Sequence, residues 1–76
     1  MTLWDLTEKQ NAKVLSLESS LGEKQKLRLQ ELGFREGEQV SCVKKMPLGG
    51  PKIFKVGDSI FALAHEVAQC IQVKKE

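Results

Sequence analysis

The segment from Arg28 to Pro51 reads RLQELGFREGEQVSCVKKMPLGGP, and it contains the signals of three successive local structures. Its first five residues are mostly good helix formers, and Gly33 is the residue type that tolerates the left-handed conformation at a helix end. A turn at Gly37 precedes a strand from Gln39, in which apolar residues alternate with more polar ones. The segment therefore predicts the end of a helix, then a strand, and finally a loop rich in proline and glycine.

The residues before this segment predict the start of the helix and a strand in front of it. Ser20 and Glu23 have the spacing of a capping box, so the predicted helix begins at Ser20 and runs to Leu32. Ahead of it, Ala12 to Leu17 predicts a first strand. Apolar side chains, Leu15 among them, occur on both faces of this strand, which we therefore expect to be buried on both sides.

The residues after the loop predict a β-hairpin, a helical turn and a last strand. Gly57 and Asp58 suit a two-residue hairpin turn, whose first central position requires positive φ. The predicted segments are strands at 53–56, 59–63 and 71–73 and a helical turn at 64–69. With the first two strands, the total is five short strands that share little core, and a nearly closed barrel is the economical way to leave few open edges.

The length and composition of the chain restrict its class. Its 76 residues allow one domain, and 41% hydrophobic with 29% charged residues is the composition of an ordinary globular protein. No apolar run approaches the roughly 20 residues that cross a bilayer, and the amino terminus lacks the pattern of an export signal. We therefore expect a cytoplasmic protein that does not insert into a membrane.

The charge of the chain does not indicate nucleic-acid binding. Twelve basic and ten acidic residues give a net charge of +2, too small to imply a nucleic-acid partner by itself. Lys44, Lys45, Lys52 and Lys55 lie on either side of the loop, and we interpret them as a solvated surface.

Residues that could perform catalysis or bind a metal are scarce. The chain has one histidine, His65, no tyrosine, no phosphate-binding loop and no nucleophile beside a base, so we expect neither an enzyme nor a cofactor. Cys42 and Cys70 lie far apart within apolar stretches and are expected to remain thiols. The spacings of these three residues match none of the usual zinc patterns, so no metal site is predicted.

The loop after the second strand is the candidate partner-binding site, and it consists of Met46, Pro47, Leu48, Gly49, Gly50 and Pro51. Two glycines between prolines permit an abrupt backbone path, while Met46 and Leu48 offer flexible apolar surface that another protein could bury. Alternatively, Leu48 folds inward as a plug for the barrel mouth and the loop is only a crossing. The sequence leaves both interpretations open. Phe34, by contrast, is expected in the core.

Together these features resemble the FeoA family, whose members are small accessory proteins of bacterial ferrous-iron uptake. The structural motif that carries the resemblance consists of Leu29, Leu32, Gly33, Phe34 and Gly37. The loop residues that match the family in order and spacing are Pro47, Leu48, Gly49 and Pro51. The resemblance covers nearly the whole chain. It implies a mainly β, SH3-like five-stranded barrel, with one helix between strands 1 and 2 and a short helical turn before the last strand, in a single domain over residues 1–76.

The resemblance also implies a function. FeoA-like proteins act beside FeoB, the G-protein permease for ferrous iron, so we expect an adaptor that binds the cytoplasmic part of the permease and modulates its activity or assembly. The chain departs from the family pattern at Lys9, where a glycine is common, and at Gly50, where an acidic residue is frequent. The alternative function is a regulatory SH3-like barrel of the metalloregulator or nucleic-acid-binding type, which the absence of a helix-turn-helix and of stacking aromatics weakens. The sequence also leaves open whether the protein associates weakly with itself through an open strand edge.

Overall fold

A five-stranded antiparallel sheet forms the body of the protein in the computed structural model, which describes residues 1–76. Its strands follow the order β4-β3-β2-β1-β5, and every neighbouring pair is antiparallel. The strands are β1 (Asn11–Leu17), β2 (Gln39–Lys45), β3 (Lys52–Val56), β4 (Ser59–Leu63) and β5 (Ile71–Lys75). The helices are a 3-10 helix (Leu3–Asp5), α1 (Glu23–Leu32) and α2 (His65–Ala68). The predicted mainly β fold, with one helix between β1 and β2 and a helical turn before β5, is confirmed.

One continuous hydrophobic core lies against the sheet. It contains 15 buried residues drawn from every strand, from α1, α2 and the 3-10 helix, and from the connecting segments. Phe34 and Phe54 have the largest of its fully buried side chains. The prediction that Phe34 belongs to the core is therefore confirmed. Full burial of a side chain of this size contributes about 1.5–3 kcal/mol to folding.

The end of α1 follows the sequence prediction closely. Gly33 has φ +115, and its N–H donates to the carbonyl oxygen of Gln30 at 3.1 Å. The N–H of Phe34 donates to the carbonyl oxygen of Leu29 at 2.9 Å. These two bonds form a Schellman motif, in which the buried side chains of Leu29 and Phe34 supply the accompanying apolar contact. Gly33 therefore ends the helix and turns Phe34 into the core.

The start of α1 differs from the prediction. The helix begins at Glu23 with Gly22 as its N-cap and no side-chain capping bond, so the capping box of Ser20 and Glu23 is wrong. The reason is the burial of Leu21. The chain turns before the helix starts, and the Leu21 N–H donates to the Glu18 carbonyl oxygen at 3.1 Å within this turn. Ser20 therefore lies in the turn rather than at the N-cap.

The first strand also differs from the prediction, because only one of its faces is buried. Ala12 and Val14 face the core, whereas Leu15 is 48% exposed. The register against β5 shifts between Val14 and Ser16, which places Leu15 at a bulge on the outer surface. No second layer covers this face, so the expectation of burial on both sides is wrong.

The β3–β4 hairpin has the predicted turn. Gly57 has φ +59 and follows Val56, which pairs with Ser59 across the two-residue turn. None of the helices has the length and apolar composition that crossing a bilayer requires.

Candidate partner-binding surface

The loop of Met46 to Pro51 is a tight turn between β2 and β3. The Gly50 N–H donates to the carbonyl oxygen of Pro47 at 3.2 Å and closes the turn. Both residues in between have positive φ, +61 at Leu48 and +72 at Gly49. Positive φ at both central positions is the property of type I′ turns, which connect antiparallel strands.

Leu48 is the unusual residue of this turn. Its side chain has a relative exposure of 104%, so it contacts nothing in the protein that could offset its strained backbone. A residue with a Cβ atom in the left-handed region costs about 1–2 kcal/mol, and asparagine or glycine normally occupies the position. Of the two interpretations that the sequence left open, the inward plug is therefore wrong. A strained apolar residue in water is the kind of outlier from which a functional role can be inferred.

The other loop residues complete a small apolar tip around Leu48. Pro47, Gly49 and Pro51 are exposed, whereas Met46 and Gly50 are half-buried. A Cβ atom added at Gly50 would lie 3.3 Å from both the Met46 Cβ and the Pro47 carbonyl oxygen, because the backbone approaches itself closely there.

The strand that enters the loop is held by the amino-terminal segment. Glu8 forms a parallel bridge with Cys42, and its carboxylate accepts a hydrogen bond from the Lys45 N–H at 3.3 Å. The Lys9 N–H donates to the Cys42 carbonyl oxygen at 2.8 Å. Lys9 itself has φ +70, which gives a physical reason for the glycine common at this position in the family that the sequence resembles.

The strand that leaves the loop is held by a buried lysine. Lys52 is only 7% exposed, and its Nζ donates to the carbonyl oxygens of Trp4 at 2.5 Å and Leu6 at 3.2 Å. The same Nζ lies 4.7 Å from the centroid of the Trp4 ring, within the range of a cation–π interaction. The interpretation of Lys52 as solvated surface is therefore wrong.

A signal for this burial was present in the sequence. Residues on one face of a strand recur with period two, and Phe54 and Val56 are both buried. Continuing this alternation backward from Phe54 places Lys52 on the core face. Because Lys52 is the first residue of the strand, its amine can reach the carbonyl oxygens of Trp4 and Leu6. The loop is thus presented by two strand ends, both of which are bonded to the amino-terminal segment.

Asp5 stabilises the amino-terminal segment in a pH-dependent way. Its carboxylate accepts hydrogen bonds from the Thr2 N–H at 2.9 Å and the Thr2 Oγ1 at 3.2 Å. The hydrogen bond from the Thr2 backbone is the main reason that the pKa of Asp5 lies below its ordinary 3.8, and slight desolvation of this exposed carboxylate raises the pKa by a smaller amount. The charges of the amino terminus and Lys52 lower it further.

We expect Asp5→Asn to destabilise the protein at neutral pH but not in acid. A lowered folded-state pKa means that the carboxylate contributes stability above 3.8, and this contribution is lost as the pH falls through the folded pKa. Urea unfolding of the wild type and Asp5→Asn from pH 7 to pH 2.5 should show a difference in free energy of unfolding that is constant above about pH 5 and shrinks below it. A difference that grows in acid would contradict this role. Asp58→Asn, in the exposed hairpin turn, is the matched control.

The residues considered for chemistry lie in different surroundings. Cys42 is buried, and burial raises the pKa of its thiol, so the side chain packs as a small apolar group. Cys70 is half-buried, with its Sγ 3.5 Å from the Ser20 Oγ, and both cysteines are free thiols. The ring of His65 lies edge to face with Trp4, with ring centroids 5.0 Å apart. No group of three or more histidine, cysteine, aspartate or glutamate side chains is arranged to hold a metal ion.

A small five-stranded antiparallel sheet with a helix in its first connection places the chain among SH3-like domain proteins, and the similarity to known proteins agrees with this. The sequence model of the FeoA domain matches residues 1–75, and the chain therefore belongs to the FeoA family. The chain is similar to Stenotrophomonas maltophilia FeoA, whose crystal structure contains zinc and which is described as a prokaryotic SH3 domain protein. The two are 37% identical with a TM-score of 0.86, over 97% of this chain and 89% of that one.

Two further solved structures are similar. Iron(II) transport protein A from Clostridium thermocellum is 32% identical with a TM-score of 0.88, over 99% of this chain but only 45% of that one. The FeoA protein from Chlorobium tepidum, at 24% identity and a TM-score of 0.89 over 99% of this chain and 70% of that one, supports the fold alone. No curated protein sequence matches the chain. The resemblance to FeoA, the SH3-like fold and a role in ferrous-iron transport are confirmed.

Proposed function

We propose that this protein is a cytoplasmic accessory subunit that binds the cytoplasmic part of FeoB, through its G-protein domain or its termini, and modulates the activity or assembly of the permease. The observation that carries the proposal is the loop around Leu48, which holds an apolar side chain in solvent at a backbone position that folding alone does not favour. The S. maltophilia relative is described as a candidate ferrous-iron transport activating factor, which supports the same kind of role.

The loop is suited to a preformed contact. Burying a leucine side chain contributes about 1.5–3 kcal/mol. Because both strand ends are already held by Glu8 and Lys52, little additional ordering is required when a partner closes over the loop. An apolar residue of this kind, centred among prolines and glycines, would act as the anchor of a small interface.

The proposed action requires no chemistry in this chain. A bound accessory protein changes its partner only by preferring one conformation, and its effect cannot exceed its difference in affinity between the two. If the protein modulates the permease, it should bind the nucleoside-triphosphate and nucleoside-diphosphate forms of the G-protein domain with different affinities. A tenfold difference corresponds to about 1.4 kcal/mol of coupling.

The test is calorimetric titration of the full chain into the FeoB cytoplasmic domain loaded with GDP or with a non-hydrolysable GTP analogue. We expect saturable binding that differs between the two forms and survives a salt concentration of about 0.5 M, since an apolar contact is not screened. Absence of binding to either form would refute the proposal. Equal binding to both forms would refute modulation. A parallel titration with RNA and DNA should give no binding, and a steep salt-dependent affinity for either would favour a nucleic-acid role instead.

A further inference from the structure

The outer strand β4 (Ser59–Leu63) has an open edge. It pairs with β3 on one side and with no strand on the other. The opposite outer strand, β5, is partly covered, because Thr2 forms an antiparallel bridge with Gln72. β5 also ends in two lysines, which discourage pairing with another chain. The fold thus protects one edge of its sheet and leaves the other free.

β4 has none of the features that usually prevent edge pairing. Its sequence, SIFAL, contains no charged residue and no proline. Its register with β3 continues without a bulge from Ser59 to Leu63. The side chain of Ile60 is 61% exposed, and Ala62 is also exposed. A neutral, regular and apolar edge is a template for another strand.

The hairpin register identifies the backbone groups that face the open side. Val56 and Ser59 flank the two-residue turn and therefore form a hydrogen-bonded pair. In an antiparallel ladder every second pair is hydrogen-bonded, so Phe54 with Phe61 and Lys52 with Leu63 are the next such pairs. Ile60 and Ala62 fall in the alternate pairs, so their N–H and C=O groups point away from β3. The edge offers two donors and two acceptors within a stretch of three residues.

We propose that β4 pairs antiparallel with β4 of a second copy of this chain, around a two-fold axis at Phe61. In that register Ile60 lies opposite the partner's Ala62 and Ala62 opposite the partner's Ile60, and these pairs form four hydrogen bonds. Ser59 lies opposite the partner's Leu63, so all five residues of each strand are paired. Moving the axis by one residue in either direction leaves strand residues opposite the turn or the segment before α2.

The side chains are self-complementary in this register. Phe61 meets the partner's Phe61 at a position without hydrogen bonds, where facing side chains are closest. Its ring is half-buried and already packs against Phe34, with centroids 6.0 Å apart, so a second ring extends an existing aromatic contact. On the outer face, Ile53 lies beside Ala62 of the same copy, and Ala62 lies beside the partner's Ile60, so the three side chains form one apolar row across the two copies. No like charges lie opposite each other. A second copy of the chain therefore provides all the hydrogen-bonding groups and apolar side chains that the edge requires. The proposal does not depend on the permease.

The test is sedimentation velocity of the full chain at increasing concentration, with Ala62→Pro and the matched control Ala62→Val. Proline removes a donor that faces the open edge and leaves the β3–β4 hydrogen bonds intact, so the hairpin should still fold. We expect the sedimentation coefficient of the wild type to rise with concentration. Each dimer loses two hydrogen bonds in Ala62→Pro, which should weaken association at least about tenfold, whereas Ala62→Val should associate at least as well as the wild type.

Two further variants keep the test informative if the proline disturbs the hairpin. Ile60→Lys adds a charge to an exposed position of the edge and should also weaken association. In a Cys70→Ser background, Phe61→Cys should form an intermolecular disulfide, while Ser59→Cys should not, because four residues of offset separate the two cysteines by about 14 Å.

Three results would overturn the proposal. The first is a wild type that stays monomeric up to about 1 mM, a concentration at which even a weak dimer forms. The second is equal cross-linking of Phe61→Cys and Ser59→Cys. The third is a monomeric wild type whose binding to the FeoB domain is lost in Ala62→Pro, since this would show that the edge accepts a strand of the permease rather than a second copy.

Discussion

Leu48→Asp is expected to reduce binding to the FeoB cytoplasmic domain by more than about 100-fold while leaving the fold intact. The loss has two sources: the burial free energy of the leucine disappears, about 1.5–3 kcal/mol, and an unpaired carboxylate would have to leave water. The fold should tolerate the change because the side chain contacts nothing else in the protein. Calorimetric titration measures the affinity, and thermal unfolding measures the fold.

Two control variants separate an effect at the loop from a general one. Leu27→Asp makes the same substitution at an exposed leucine on α1 and should bind as the wild type does. Leu48→Asn relieves the positive φ and should raise the free energy of unfolding by about 0.5–1 kcal/mol while still weakening binding. A Leu48→Asp protein that binds normally, or one that unfolds, would contradict the assignment of Leu48 as an exposed anchor.

Lys52→Met is expected to lower the free energy of unfolding by about 3 kcal/mol. Methionine preserves the apolar stem and its packing, but it removes the only hydrogen-bond donor that reaches the carbonyl oxygens of Trp4 and Leu6. Hydrogen bonds from a charged group contribute about 1.5–3 kcal/mol, and the Leu6 carbonyl oxygen is left buried without a donor. The attraction of Nζ to the Trp4 ring is lost as well.

The matched control is Lys55→Met, on the same strand but on the outer face, where the change should cost less than about 0.5 kcal/mol. Urea unfolding of both variants measures the difference. Equal effects at the two positions would show that Lys52 contributes only as a surface charge. A Lys52→Met protein that remains folded should also bind the FeoB domain more weakly than the wild type, because one end of the loop loses its attachment. This loss of affinity should remain when binding is measured under conditions in which both proteins are fully folded.

Local signals in the sequence were sufficient where one residue's conformation decides the outcome. Gly33 and Gly57 both adopt the positive φ that ends a helix or closes a two-residue turn, and no distant contact was needed to infer this. The start of α1 was predicted wrongly because the burial of Leu21, a tertiary effect, displaced the capping signal of Ser20.

The position of the candidate site in the chain could be predicted from the sequence, but its side-chain directions and contacts could not. Its proline and glycine content marked Met46 to Pro51 as a special loop. The outward direction of Leu48 depends on its backbone conformation, which no residue-type preference for leucine would indicate. The role of Lys52 depends on carbonyls nearly 50 positions away in the chain, at Trp4 and Leu6, and such contacts follow only from the completed fold.

The attachment of both strand ends to the amino-terminal segment has a mechanical consequence. Lys45 is bonded to Glu8, and Lys52 to the Trp4 and Leu6 carbonyl oxygens, so we expect a displacement of Leu48 to strain these bonds as well as the turn. We therefore expect the amino-terminal segment and the loop to move together. A partner that shifts the loop should then also shift the residues around Trp4 and Glu8.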